Sequence, residues 1–193
     1  EEIVKKLFGL KNFSECLQYL NSGGYMKAIE RYDGVAYEYL DYDSLSPQAQ
    51  LYAQENCIIF SNLYGALLGG DVIPLYKVSQ GEMVGGIDPQ KYYKERLGYQ
   101  LDLHIGDADV LDLRAGYYDK FFTPKHRWTT LKFLKSGKVV SHWAKAYRGL
   151  VLRAVAQSGI STLDEFGALE IDGLGVKEII RKKNYEEIVF EIL

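Results

Sequence analysis

Arg127-Trp-Thr-Thr-Leu-Lys-Phe-Leu-Lys-Ser-Gly-Lys-Val-Val-Ser-His-Trp-Ala-Lys-Ala-Tyr-Arg-Gly-Leu-Val-Leu-Arg-Ala-Val-Ala-Gln-Ser-Gly159 holds two periodicities in one run. From Arg127 to Leu134 bulky and polar residues alternate, the period of a strand. Ser136-Gly137 supplies a turn, which predicts a hairpin back to Val139-Val140. After Ser141 the spacing becomes helical and continues until Gly159, with Ser141 as the expected N-cap. A hairpin running directly into a long helix points to an α+β fold rather than a regular βαβ repeat.

The flanks extend this reading. Toward the N-terminus, Asn12 or Ser14 can cap a helix to about Leu20, and a short helix is expected from Tyr25 to Tyr32. Ser46-Pro47 starts a helix that should end near Asn56: Ser accepts from free N–H groups, and Pro at the first position loses no hydrogen bond. Cys57 to Phe60 reads as a short buried strand. Gly65, Gly69 and Gly70 predict a loop or helical turn, followed by a strand over 72–78 in which Pro74 marks an edge. Asp88-Pro89 opens another helix, expected to stop near Gly98, and Val110 to Leu113 is strand-like. Toward the C-terminus, Ser161 and Asp164 have capping-box spacing. Beyond Ala168 two readings stay open. Gly173-Leu174-Gly175 fits a helix-hairpin-helix turn, whereas the β-branched runs around Lys183-Asn184 fit a β-hairpin. With no repeat or linker, residues 1–193 are expected to form a single domain with a central, mostly antiparallel or mixed sheet surrounded by helices.

Charge is unevenly distributed. Between Arg114 and Arg153 there are ten basic side chains and one acid, Asp119; the whole chain is −3, so the remainder is strongly acidic. A local field of this kind attracts anions whatever the net charge. Hydrophobic content of 47% with sixteen tyrosines argues for a folded chain. Cys16 and Cys57 lie far apart without metal-ligand spacing, as expected of reduced thiols in the cytoplasm. No run is long and apolar enough to span a membrane. The opening Glu1-Glu2-Ile3-Val4-Lys5-Lys6 is not a signal peptide, and the absence of an initiator Met fits a truncated sequence.

Three segments carry candidate chemistry. Lys145 and Arg148 lie three apart on one helix face near its N-terminus, where the dipole favours anions. Gly149 in mid-helix costs about 1 kcal/mol against Ala, which predicts close approach of a backbone or ligand there. Asp112-Leu-Arg-Ala-Gly-Tyr-Tyr118 and Ser61-Asn-Leu-Tyr-Gly65 each follow a buried strand, a usual place for a site. The anion- or DNA-binding candidates are therefore Lys145, Arg148, Arg153, Arg114 and Ser141. The candidate cleft lining is Ser61, Asn62, Tyr64, Asp71, Tyr76, Lys77, Asp112 and Tyr118. No metal site is expected from His104, His126 and His142, no cofactor is expected, and the glycines match neither nucleotide-binding loop pattern.

Three blocks resemble the YaaA-type peroxide-stress family of bacteria. These are Ala28 to Lys77, with Phe60-Ser-Asn-Leu-Tyr-Gly65 and Asp71-Val-Ile-Pro-Leu-Tyr-Lys77 at its heart; Asp112 to Tyr118; and Ser141 to Arg153. The chain departs from the pattern at Gly69-Gly70 and Lys77, and the family's N-terminal strand and following loop are missing. The resemblance implies an α+β fold with a basic cleft, double-stranded DNA binding through a helix-hairpin-helix element, and survival of peroxide by lowering free iron. No ferritin-like carboxylate pattern is present, so any effect on iron is expected to be indirect. An enzyme acting on a small anionic, nucleotide-like ligand in the same cleft is the alternative, and a module binding an acidic protein a third.

Overall fold

The computed structural model describes residues 13–22, 24–114 and 116–193. Helix α1 (Phe13–Asn21) leads to strand β1 (Tyr25–Lys27), then to α2 (Ala28–Arg31) and α3 (Val35–Leu40). The helix expected over 25–32 is thus split: its first residues pair with β4 (Val72–Pro74), Met26 opposite Ile73. Asn12 lies outside the described residues.

Helix α4 (Pro47–Asn56) begins as expected, with the Ser46 hydroxyl accepting from Ala49 N–H at 3.3 Å. Strand β2 (Ile58–Ser61) pairs antiparallel with β3 (Gly65–Leu68). Residues 65–68 are therefore strand, not loop or helical turn. Gly65 permits the tight return through a positive φ of 78° and a site where a Cβ would lie 2.6 Å from the Tyr93 ring. Strand β4 stops at Pro74.

Helix α5 (Pro89–Ile105) starts on the Asp88 carboxylate but runs through Gly98 and ends at Gly106, which has φ 56°. A helix interior tolerates one glycine at about 1 kcal/mol, whereas Gly106 supplies the left-handed backbone that terminates it.

The main sheet has strand order β5 (Val110–Asp112), β6 (Trp128–Lys135), β9 (Tyr185–Ile192), β8 (Leu174–Arg181), with β7 (Lys138–Val139) also on β6. Pairing is parallel for β5–β6 and β6–β9 and antiparallel for β6–β7 and β8–β9, so the fold is α+β with a mixed sheet. The C-terminal segment is the β-hairpin. Trp128 lies opposite Tyr185 and their rings stack at 4.6 Å, a cross-strand pair contributing about 0.5–1.5 kcal/mol beyond area burial.

Helix α6 (His142–Ser158) divides two apolar clusters. Val151 and Val155 pack with Leu131, Phe133 and Phe190 of the sheet. Ala156 and Leu152 pack with Leu40, Ala49 and Ile59. A Cβ on Gly149 would lie 2.0 Å from the Ala36 carbonyl oxygen, so the glycine exists for close approach of α3's backbone. Ser141 precedes α6 but makes no capping bond: its φ of −97° and ψ of −46° are already helical, and capping needs an extended backbone. The next helix, α7 (Leu163–Gly167), takes its capping box from Thr162 and Glu165 rather than Ser161 and Asp164. Glu165 Oε2 reaches back to the N–H groups of both Ser161 and Thr162. Among the described residues, no helix is long and apolar enough to cross a membrane.

Candidate functional site

Strand β2 ends on Ser61, which is fully buried. Its Oγ accepts the N–H groups of Leu63 and Tyr64 at 3.1 and 3.0 Å and meets the Tyr76 hydroxyl at 2.6 Å. Tyr76 in turn meets the Tyr32 hydroxyl at 2.5 Å. Aromatic rings wall this chain of oxygens: Tyr32 stacks with Tyr37 at 5.9 Å, and Tyr64 meets Tyr76 edge-on at 5.1 Å. Burial raises the phenols of Tyr32, Tyr37, Tyr76 and Tyr118, so all are protonated donors at neutral pH.

Asn62, also buried, ties two loops together. Its Nδ2 donates to the carbonyls of Ser79 and Glu82, and its Oδ1 accepts from Tyr117 at 3.1 Å. Tyr117 then accepts from Gly81 N–H at 2.7 Å. The Ser61–Tyr64 and Asp112–Tyr118 loops are thus brought into contact. Tyr93 also donates to the Leu63 carbonyl.

Strand β5 ends on Asp112, and Arg114 is locked onto it. Arg114 Nε and Nη2 donate to the two carboxylate oxygens at 2.9 and 2.6 Å. Its Nη1 donates to the carbonyls of Tyr118 and Phe122, and the guanidinium sits over the Phe60 ring at 4.8 Å. This bidentate pair, with side chains 12% and 7% exposed, closes the loop 113–122.

The other basic candidates separate. Arg153 Nη1 donates to the Leu40 and Asp41 carbonyls at 2.8 and 2.9 Å, anchoring the C-terminus of α3. Arg148 is half-buried; its Nη1 donates to Ala144 and its Nε is buried without a partner. Desolvation lowers its pKa, opposed by Asp112 and Asp119. Asp119 is raised, chiefly by desolvation and then by Asp112, against Arg114 and Arg148. Lys145 is exposed, as are Ser141, Lys77 and Asp71. Asp71 is occupied in the β3–β4 turn, its carboxylate accepting from Leu68 N–H.

Tyr32 and Tyr37 belong to this cluster; both fall within the Ala28–Lys77 block that resembles the family, but neither is among the candidate cleft residues of the sequence reading. The Cys57 thiol, free and pushed up to about 12 by burial, is a poor nucleophile. Among the described residues, no group of three or more His, Cys, Asp or Glu could hold a metal ion.

A family model described as peroxide stress protein YaaA matches residues 3–179. The chain belongs to the YaaA peroxide-stress family. It is 44% identical over 193 aligned residues to the uncharacterized protein Cj0984 of Campylobacter jejuni, covering 98% of this chain and 78% of that protein. A UPF0246 protein of Streptomyces coelicolor is 34% identical over 147 residues, covering 72% of this chain and 56% of its own length. One from Fusobacterium nucleatum is 25% identical, covering 95% and 78%. Family membership covers the blocks holding Ser61, Asp112 and Arg148.

Proposed function

We propose that this protein acts in the bacterial cytoplasm during peroxide stress, binding double-stranded DNA without sequence preference and helping to limit free intracellular iron. Family membership supports the stress role. The observation that carries DNA binding is a set of exposed lysines at the end of β6, in β7 and near the start of α6. Lys135, Lys138 and Lys145 are exposed, and Lys135 Nζ stands 5.2 Å from the ring of Trp143, itself 43% exposed. Lys135 lies opposite Lys138 in the hairpin register. Lysines of this kind contact phosphates and carry no base readout.

Three phosphate contacts imply that log affinity falls with log salt with a slope near −3, roughly −0.9 per contact. The test is filter binding of a mixed-sequence duplex at several salt concentrations. Replacing Lys135, Lys138 and Lys145 with Ala should remove most of the affinity and flatten the slope. Salt-insensitive binding, or an unchanged slope in the triple variant, overturns the assignment.

A second reading, a small anionic ligand held in the cleft, is favoured by one observation. The Ser61–Tyr64 and Asp112–Tyr118 loops touch through Asn62 and Tyr117, and Arg148 lies within electrostatic reach of Asp112 and Asp119. Polar groups from separate strand ends converging in this way suit ligand recognition. Equilibrium binding of inorganic phosphate, lost in Arg148→Gln, tests it.

A further inference from the structure

Strand β8 ends the main sheet: among the described residues its only strand partner is β9. An edge of eight residues presents a row of unpaired N–H and C=O groups, which natural sheets guard with lysines or bulges. β8 has both, Lys177 and a bulge between Val176 and Glu178. Yet it also holds two apolar side chains in water, Val176 at 57% exposure and Ile179 at 46%.

The bulge decides how these side chains are arranged. Val176 lies opposite Phe190 and Ile179 opposite Ile188, and Phe190 and Ile188 share a face of the sheet. Val176 and Ile179 are therefore on one face, which an unbroken strand forbids at that spacing. Glu178, opposite Val189, is on the other face. So is Lys177, whose Nζ reaches Glu191 Oε2 at 3.1 Å, because Glu191 shares the face of Val189. A two-fold axis normal to the sheet, passing between Lys177 and Glu178, then pairs two copies of β8 antiparallel. Such an axis keeps every side chain on its own face, so only residues of the same face can be opposed. A strand without a bulge fails that condition when the axis falls between two residues, and β8 meets it. Val176 comes opposite the partner's Ile179, and Lys177 opposite the partner's Glu178, each twice by symmetry. The flanks match as well. Exposed Glu170 and Asp172 precede the strand, and exposed Arg181, Lys182 and Lys183 end it. Antiparallel pairing sets the acidic end of each copy beside the basic end of the other.

We infer that a second copy of this chain docks on β8, forming a two-fold dimer in which the two main sheets become one. Main-chain hydrogen bonds between the edges supply attraction, and the side-chain pairs fix the register. Lys177, otherwise a guard against edge pairing, selects one partner and one register because it needs an acid opposite. A single strand pair is small for a specific interface, so dissociation is expected on the order of 10 µM.

Sedimentation velocity of the whole chain without DNA, from about 1 to about 200 µM, should show monomer converting to dimer. Lys177→Glu and Glu178→Lys should each weaken the dimer roughly tenfold or more, since both symmetric pairs become like-charged. The two variants mixed should associate again, because one then brings two acids where the other brings two bases. Circular dichroism checks that each variant is folded. Should either fail to fold, hydrogen exchange in the unaltered protein decides: β8 amides should exchange more slowly at the top of that concentration range than at the bottom, and equal rates overturn the inference. A chain that stays monomeric throughout overturns it, as does a dimer that both single variants leave intact or a mixture that does not associate. Each of these outcomes leaves the DNA reading standing, because Lys135, Lys138 and Lys145 lie outside β8.

Discussion

Two regions of the same basic stretch behave in opposite ways. The arginines at its ends turn inward: Arg114 grips Asp112, and Arg153 holds the carbonyl end of α3. The lysines between them, Lys135, Lys138 and Lys145, stay in water. The guanidinium is weakly hydrated and offers a fork of donors that can satisfy carboxylates and carbonyls together. An ammonium is strongly hydrated and loses more on burial. A run of like charge is therefore not one electrostatic feature. Arg114 and Arg153 are structural cross-links, whereas Lys135, Lys138 and Lys145 remain at the surface.

The contrast breaks most severely at Gly149. Gly149→Val would drive a Cβ into the Ala36 carbonyl, prising α3 from α6 and removing Arg153's anchorage. A loss of more than about 4 kcal/mol, seen in denaturant unfolding, is expected. Arg114→Ala comes next. It strands the buried Asp112 carboxylate and frees the loop 113–122, costing about 3 kcal/mol. Arg153→Ala should cost about 1–2 kcal/mol through two lost bonds to backbone carbonyls, with DNA retention unchanged. The lysine triple variant should show the reverse pattern: stability within about 0.5 kcal/mol of the parent, and a large loss of DNA binding. An arginine variant that lost DNA binding without losing stability would erase the distinction.

The smallest effect lies away from the basic stretch, at exposed Glu165. Hydrogen bonds from Ser161 and Thr162 hold its carboxyl below the ordinary Glu value. Its contribution is therefore present above the unfolded pKa and lost as pH falls through the lower folded value. Glu165→Gln should melt slightly earlier than the parent at neutral pH. That gap should close as the buffer is acidified below about pH 4.

Much of this architecture is legible because it rests on local chemistry. Ser46-Pro47, the alternation across Thr129, Leu131 and Phe133, the Ser136-Gly137 turn and the stop at Gly159 each encode a backbone preference within a few residues. Errors arose where a local signal had a rival. Gly98 looked like a helix end, but Gly106 made the left-handed turn. Ser161 with Asp164 matched a cap, but Glu165 reached further back. Ser141 had the side chain of a cap without its backbone. The Ser61 and Asp112 loops stood out as polar segments after buried strands. Tyr32 and Tyr37 did not, because their place in the cluster depends on β1, α2 and α3 folding over β2.

The order of amino acids by itself determined an α+β chain with a hairpin feeding a long helix, a glycine demanding a close neighbour, and a concentrated run of positive charge. Only the tertiary structure decided which neighbour fills Gly149's space, which cations are consumed internally, and which phenols meet the serine at the end of β2. Backbone preference and charge are properties of short segments. Pairing and desolvation depend on which distant segment comes to lie within about 3 Å, and the packing of α6 between two cores settles that.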